Sequence, residues 1–311
     1  MKKIFLSYAH KNRDWVERSL LPVLRAAAAP DVEGEEPKVE ILIDVERFQF
    51  GEGVVGQMDA AQDEADLTMM VLTPDYVASE HCLHELRRAM AKPDHAKLPI
   101  KRIDCEIPEE LKGDDPVLWC DLTDDGAEDL WEQLLGQLEI AGPGGLGIAA
   151  SKWLKAARDV ERILGRECLS VNLVSDLPGE KLTKFYEFGV APSLEAKLPQ
   201  VDLNDPTCHR LPGLYRQLLA ATTNVDPGRL PRPSEVFGEQ LKKLKAQRLL
   251  IRNFEKVKPR HAEYGDGLWE SLRFATENRM VILMAESNTP ASNLMPGHPV
   301  SEINFREVKL R

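Results

Sequence analysis

Apolar residues recur along this chain in two rhythms, and the switching between them outlines its architecture. Short, nearly continuous apolar runs at residues 4–8, 39–43, 67–73, 98–103 and 117–120 have the length of buried strands. Between them, residues 14–28, 76–90 and 127–140 repeat their apolar positions every three or four residues. In the second of these, Cys82, Leu83, Leu86 and Met90 share one helical face. Strand and helix in alternation imply right-handed crossovers and a mostly parallel sheet with helices on both faces. The expectation for this half is an α/β domain on a five-stranded parallel sheet.

The alternation resumes further on. Helices are expected at 151–164, 182–188, 213–221, 234–246 and 267–277. Strands are expected at 169–174, 200–203, 249–254 and 280–285. Between the halves, residues 142–147 hold four glycines in six positions, which neither helix nor strand tolerates well. The predicted organisation is therefore residues 1–142 as one α/β domain, 143–165 as linker and connecting helix, and 166–311 as a second α/β domain.

Composition narrows the class. With 43% hydrophobic and 29% charged residues, the 311-residue chain is globular in character. No stretch approaches the ~20 apolar residues that span a bilayer, and residues 1–8 turn polar too soon for a secretory signal. The expected setting is cytoplasmic, without membrane contact. Cysteines 82, 105, 120, 168 and 208 show no Cys/His ligand spacing, so free thiols and no metal are expected. The net charge of −11 is uneven: residues 1–150 carry −16 and the remainder +5. That asymmetry suits two domains with different partners.

Open parallel sheets bind ligands beyond the carboxyl ends of their strands. In the first half that edge collects Ser7, Tyr8 and His10, the loop 44–53 with Asp44, Phe48 and Phe50, and the segment Thr73 to Tyr76. Beyond it lies the helix with Cys82 and Glu85, three apart on one face. The sequences FLSY at 5–8, D…G at 44–51, AD at 65–66, TPDY at 73–76 and SEHCLHEL at 79–86 together resemble a TIR domain, over roughly residues 1–140. The resemblance implies a flavodoxin-like fold and points to its bacterial and plant branch. It implies NAD+ glycohydrolase activity, with Glu85 as catalytic residue and Ser7, Tyr8, Asp44, Phe48, Tyr76 and Cys82 about the substrate. NAD+ would be substrate, with no separate cofactor. His81 stands where that family usually has Trp. The resemblance also implies self-association through the 44–53 loop and a role as a bacterial defence effector. The alternatives are a non-catalytic adaptor and an N-glycosidase acting on other nucleosides.

In the second half, strand, loop and helix start at 171–185 can be set against the phosphate-binding pattern GxxxxGK[ST]. Lys181 then falls on the lysine, but Ser175 and Glu180 replace the glycines and Leu182 the hydroxyl. Arg252 and Asn253 stand where an acidic pair closes the Walker B strand. This half resembles a degenerate, inactive STAND-type P-loop module, which implies regulation through an unidentified trigger or partner protein bound by residues 166–311. Eight Lys/Arg between 242 and 260, opposed only by Glu255, make nucleic acid a possible partner. With Phe254 the sole aromatic in the run, a solvated face is the favoured reading.

Overall fold

A computed structural model describes the chain except residues 33, 44–52, 113–115, 141–144, 195–197, 223–236, 238 and 241–246. It divides into two compact units, Met1–Leu154 with Glu180–Gly189, and Lys155–Gly179 with Val190–Arg311. Among the described residues, each is built on one five-stranded sheet in which every pairing is parallel.

The first sheet contains β1 (Lys2–Tyr8), β2 (Val39–Leu42), β3 (Leu67–Leu72), β4 (Lys97–Lys101) and β5 (Cys120–Asp121), in the order β2-β1-β3-β4-β5. This is the flavodoxin-like order expected, and it puts the reversal of strand order between β1 and β3. β3 is buried at every position, as a central strand covered on both faces must be. Its register with β1 sets Ser7 opposite Met70 and Tyr8 opposite Val71, so the carboxyl ends of both strands finish side by side. The strand expected at 117–120 is paired only at Cys120 and Asp121, and Leu118 and Trp119 before it are exposed.

Among the described residues, the longer helices of this unit include α1 (Leu21–Ala28), α2 (Val54–Glu64), α3 (Glu80–Met90) and α4 (Glu128–Gln137). α3 begins where Ser79 accepts a hydrogen bond from the Cys82 amide. Its last turn carries Arg87 and Arg88, which suit the negative end of the helix dipole. A short turn of helix at Pro74–Val77 precedes it, capped in the same way by Thr73 on the Tyr76 amide, with Pro74 at its first position. The sequence pattern did not predict α2. Its segment has a glycine, no side-chain cap and a weak apolar stripe, so packing rather than propensity sustains it.

Helix α5 (Ala150–Glu161) carries the division between the units. The second sheet contains β6 (Val171–Ser175), β7 (Gln200–Asp202), β8 (Gln247–Arg252), β9 (Val281–Ser287) and β10 (Arg306–Leu310), ordered β10-β6-β9-β8-β7. Its core joins Leu249, Ile251 and Leu283 of the strands to Trp269 and Leu272 of a later helix, with Phe254 edge-on to Trp269 at 5.9 Å. Helices α6 (Gly179–Lys184), α7 (Leu211–Thr222) and α8 (Asp266–Glu277) belong to the strand connections.

The expected boundary at 142 and the start of the second domain at 166 differ from this division. Residues 180–189 pack with the first unit. Lys181 and Lys184 both bond to Asp31, Lys184 also reaches the Ala29 carbonyl, and Phe185 stands edge-on to Trp153. Residues 141–144 and most of the helix expected at 234–246 lie outside the described residues.

Candidate active site

Three of the side chains singled out in the sequence meet at the carboxyl edge of the first sheet. Ser7, at the end of β1, donates its hydroxyl to Glu85 Oε2 at 2.5 Å and lies 2.9 Å from the Tyr76 hydroxyl. All three are buried, with Glu85 5% exposed, Ser7 1% and Tyr76 fully enclosed. The direction of the chain of bonds follows from counting protons. A serine hydroxyl has one hydrogen, and an ionised carboxylate can only accept. Ser7 spends its proton on Glu85, so Tyr76 must donate to Ser7.

Burial is the main cause that raises the Tyr76 phenol well above its ordinary value. The Ser7 hydrogen bond opposes the shift, and the nearby Glu85 and Cys82 reinforce it. Tyr76 therefore remains a proton donor across the physiological range. Local structure explains how these groups converge. Thr73 caps the turn that swings Tyr76 inward, and Ser79 starts α3 so that Glu85 follows Cys82 by three residues on the same face.

The remaining candidates have separate places. Cys82 packs in an apolar cluster with Tyr76, Leu86 and Leu111. Tyr8 is buried with its ring 6.1 Å from that of His10. His81, at the position where Trp was expected, is exposed. Asp44 and Phe48 lie outside the described residues, as does Phe50.

Sequence reading missed Gln62. It lies wholly buried on α2 and donates Nε2 to the main-chain carbonyl of Glu85 at 2.8 Å, while its Oε1 accepts from Arg88 Nε at 3.2 Å. Asp59 supports the same junction through His84 at 2.9 Å and Arg88 at 3.1 Å. α2 thus holds the turn of α3 that carries Glu85. Nothing in the local pattern marks Gln62, because a lone glutamine in a helix usually faces solvent.

The carboxyl edge of the second sheet is organised differently. Ser175 bonds the Leu310 carbonyl. Arg252 binds Glu286 Oε2 of β9 at 3.0 Å and the Gly179 carbonyl at 3.0 Å, and Asn253 donates to Asp202 at 2.7 Å. Lys181, the counterpart of a phosphate-binding lysine, belongs instead to the first unit, where it is 5% exposed and bonded to Asp31 at 2.5 Å. Burial alone would raise the Asp31 carboxyl. The hydrogen bonds and charges of Lys181 and Lys184 outweigh it and hold the group below its ordinary value. Of the basic run at 242–260, residues 242, 243 and 245 lie outside the described residues.

Comparison with known proteins places the first sheet in a class. Residues 4–135 match the family model described as TIR domain, and this part of the chain is a TIR domain. One similar solved structure is the TIR domain of the Toll-related receptor TRR-2 from the lower metazoan Hydra magnipapillata. It is 20% identical, with 44% of this chain and 97% of that one covered and a TM-score of 0.36. No curated protein matches the chain. Among the described residues, no helix is long and apolar enough to cross a membrane.

Proposed function

We propose that the TIR domain is an NAD+ glycohydrolase in which Glu85 is the catalytic carboxylate. The observation that carries this reading is a buried glutamate held by a serine hydroxyl at the strand-order reversal of a parallel sheet, where such sheets take their ligands. The reaction breaks the bond between the nicotinamide nitrogen and C1′ of the ribose. Its electron pair leaves on nicotinamide, which departs neutral and needs no general acid. The ribose gains oxocarbenium character, which a nearby carboxylate stabilises. Water then adds at C1′ and releases a proton, giving ADP-ribose. Ser7 and Tyr76 fix the carboxylate rather than touch the substrate, and Gln62 fixes the backbone behind it.

The setting we infer is bacterial defence, with activity raised by self-association through the loop around Phe48 and Phe50. The second unit would control that assembly through an unidentified trigger. The pairing of Arg252 with Glu286, where an acidic Walker B pair would stand, supports its reading as a P-loop-like module without hydrolytic machinery.

A second reading, an adaptor that only associates, has one observation in its favour: Glu85 is as enclosed as a structural carboxylate. One experiment separates the two. The full chain is concentrated, incubated with NAD+, NADP+ and nucleosides, and assayed for free base. Nicotinamide release that Glu85→Gln eliminates supports the enzyme. No base from any substrate, at concentrations where the chain self-associates, supports the adaptor.

A further inference from the structure

The second unit brings together three side chains that the sequence keeps far apart. His261 opens a short helix (His261–Tyr264), Asp266 begins α8, and His298 caps the turn Pro299–Glu302. Two glycines arrange this. Gly265, at φ +64 and ψ 177, takes a conformation that is essentially glycine's own, and Gly297 precedes His298 at φ +79. The first breaks the chain between His261 and Asp266 so that both face one point. The second turns His298 towards them.

The donor atoms are close. His298 Nε2 is 3.0 Å from Asp266 Oδ1, His261 Nδ1 is 3.9 Å from the same oxygen, and one donor atom from each of the three residues lies within 4.8 Å of the others. A cation held at about 2.0–2.2 Å from each donor requires separations of roughly 3–4 Å, so two of the three already fit. The third closes by a small movement of His261, whose side chain is 45% exposed. Two independent features mark the place as unfinished. His261 Nδ1 is buried without a hydrogen bond, and a cavity of about 430 Å³ opens beside the cluster.

We propose that His261, Asp266 and His298 bind a divalent transition-metal ion of the zinc class, with the cavity side open to a water ligand. Two imidazoles and one carboxylate are the donor set such ions favour over magnesium or calcium. Lys258 also lines the cavity, and its charge opposes the ion. It is exposed, so solvent screens it. Binding also makes a demand on His298. Its Nδ1 now accepts from the Val300 amide at 3.2 Å, which puts the ring proton on Nε2, facing Asp266. A metal on Nε2 moves that proton to Nδ1 and gives up the long Val300 bond. Metal uptake should therefore carry a tautomer change, readable in the imidazole 15N shifts.

The test uses the full chain after chelator treatment. Calorimetry with Zn2+ and Co2+ should show saturable uptake at one ion per chain. The Co2+ spectrum should lack thiolate charge-transfer bands, which separates this site from the free cysteines. His261→Ala should weaken binding by about tenfold or more, as should His298→Asn. The asparagine oxygen can still accept from the Val300 amide, so unfolding of that variant should be nearly unchanged without metal. No saturable uptake, uptake with thiolate bands, or uptake unchanged in both variants would overturn the proposal.

Discussion

The two parallel sheets end in carboxyl edges of opposite character. At the first, a buried carboxylate is anchored by the neutral hydroxyl of Ser7, itself bonded to Tyr76. At the second, Glu286 is clasped by the Arg252 guanidinium and Asp202 by the Asn253 amide. A hydroxyl orients a carboxylate but leaves its charge in place for a developing cation. A guanidinium neutralises it. The same architecture thus presents a charge for chemistry on one sheet and consumes its charges in structure on the other.

Glu85→Gln should expose the difference most strongly. NAD+ cleavage should fall by about a thousandfold or more, since the charge that stabilises the transition state is gone. Thermal unfolding should barely move, because the amide oxygen still accepts from Ser7. Retention of most of the activity would break the assignment of this edge as the catalytic one.

Arg252→Met makes the opposite test. It takes the guanidinium from Glu286, whose side chain is 7% exposed, and should cost about 3–5 kcal/mol in chemical denaturation. Replacing both partners by methionine should restore most of that loss, because the pair as a whole adds little. Were the single variant as stable as the parent, the second edge would not be held by its charges.

Ser7→Ala should lower turnover by about ten- to a hundredfold, matching one lost hydrogen bond to a charged group. Its effect should appear in kcat more than in KM if Ser7 positions Glu85 rather than binds substrate. A change confined to KM would return Ser7 to the substrate contacts.

Asp31→Asn should cost only about 1 kcal/mol, since Asp31 is 36% exposed and its ion pairs are screened. The sign with pH follows from its lowered folded-state value. The stabilisation is complete above the unfolded carboxyl range, near pH 4, and is lost as pH falls through the lower folded value. An acid limb identical in parent and variant would show that Asp31 contributes nothing. Smallest of all, ATP should yield no phosphate above background, and Lys181→Ala should change nothing. Turnover that this variant removes would make the loop functional.

Much of the first domain was legible in the chain. The apolar runs at 4–8 and 67–73 fixed its central strands, since a strand covered on both faces has no room for polar residues. Ser7, Tyr76 and Glu85 were found as separate motifs, and their spacing in sequence did not reveal that one hydroxyl joins them. Gln62 and α2 were not legible, because a weakly amphipathic segment becomes a helix only where a neighbour covers it. Lys181 was read as a worn phosphate lysine. Its bond to Asp31, across 150 positions of sequence, could not be foreseen.

The sequence by itself determined the two α/β halves, the parallel sheets and the residue types at the first carboxyl edge, since these follow from periodicity and local turn chemistry. Only the tertiary structure decided which charges meet. It set Glu85 on Ser7, Arg252 on Glu286, Lys181 on Asp31, and His261 and His298 about Asp266. Periodicity acts between neighbours a few residues apart, whereas electrostatic pairing acts across a few ångströms of space, and only the folded chain converts one into the other.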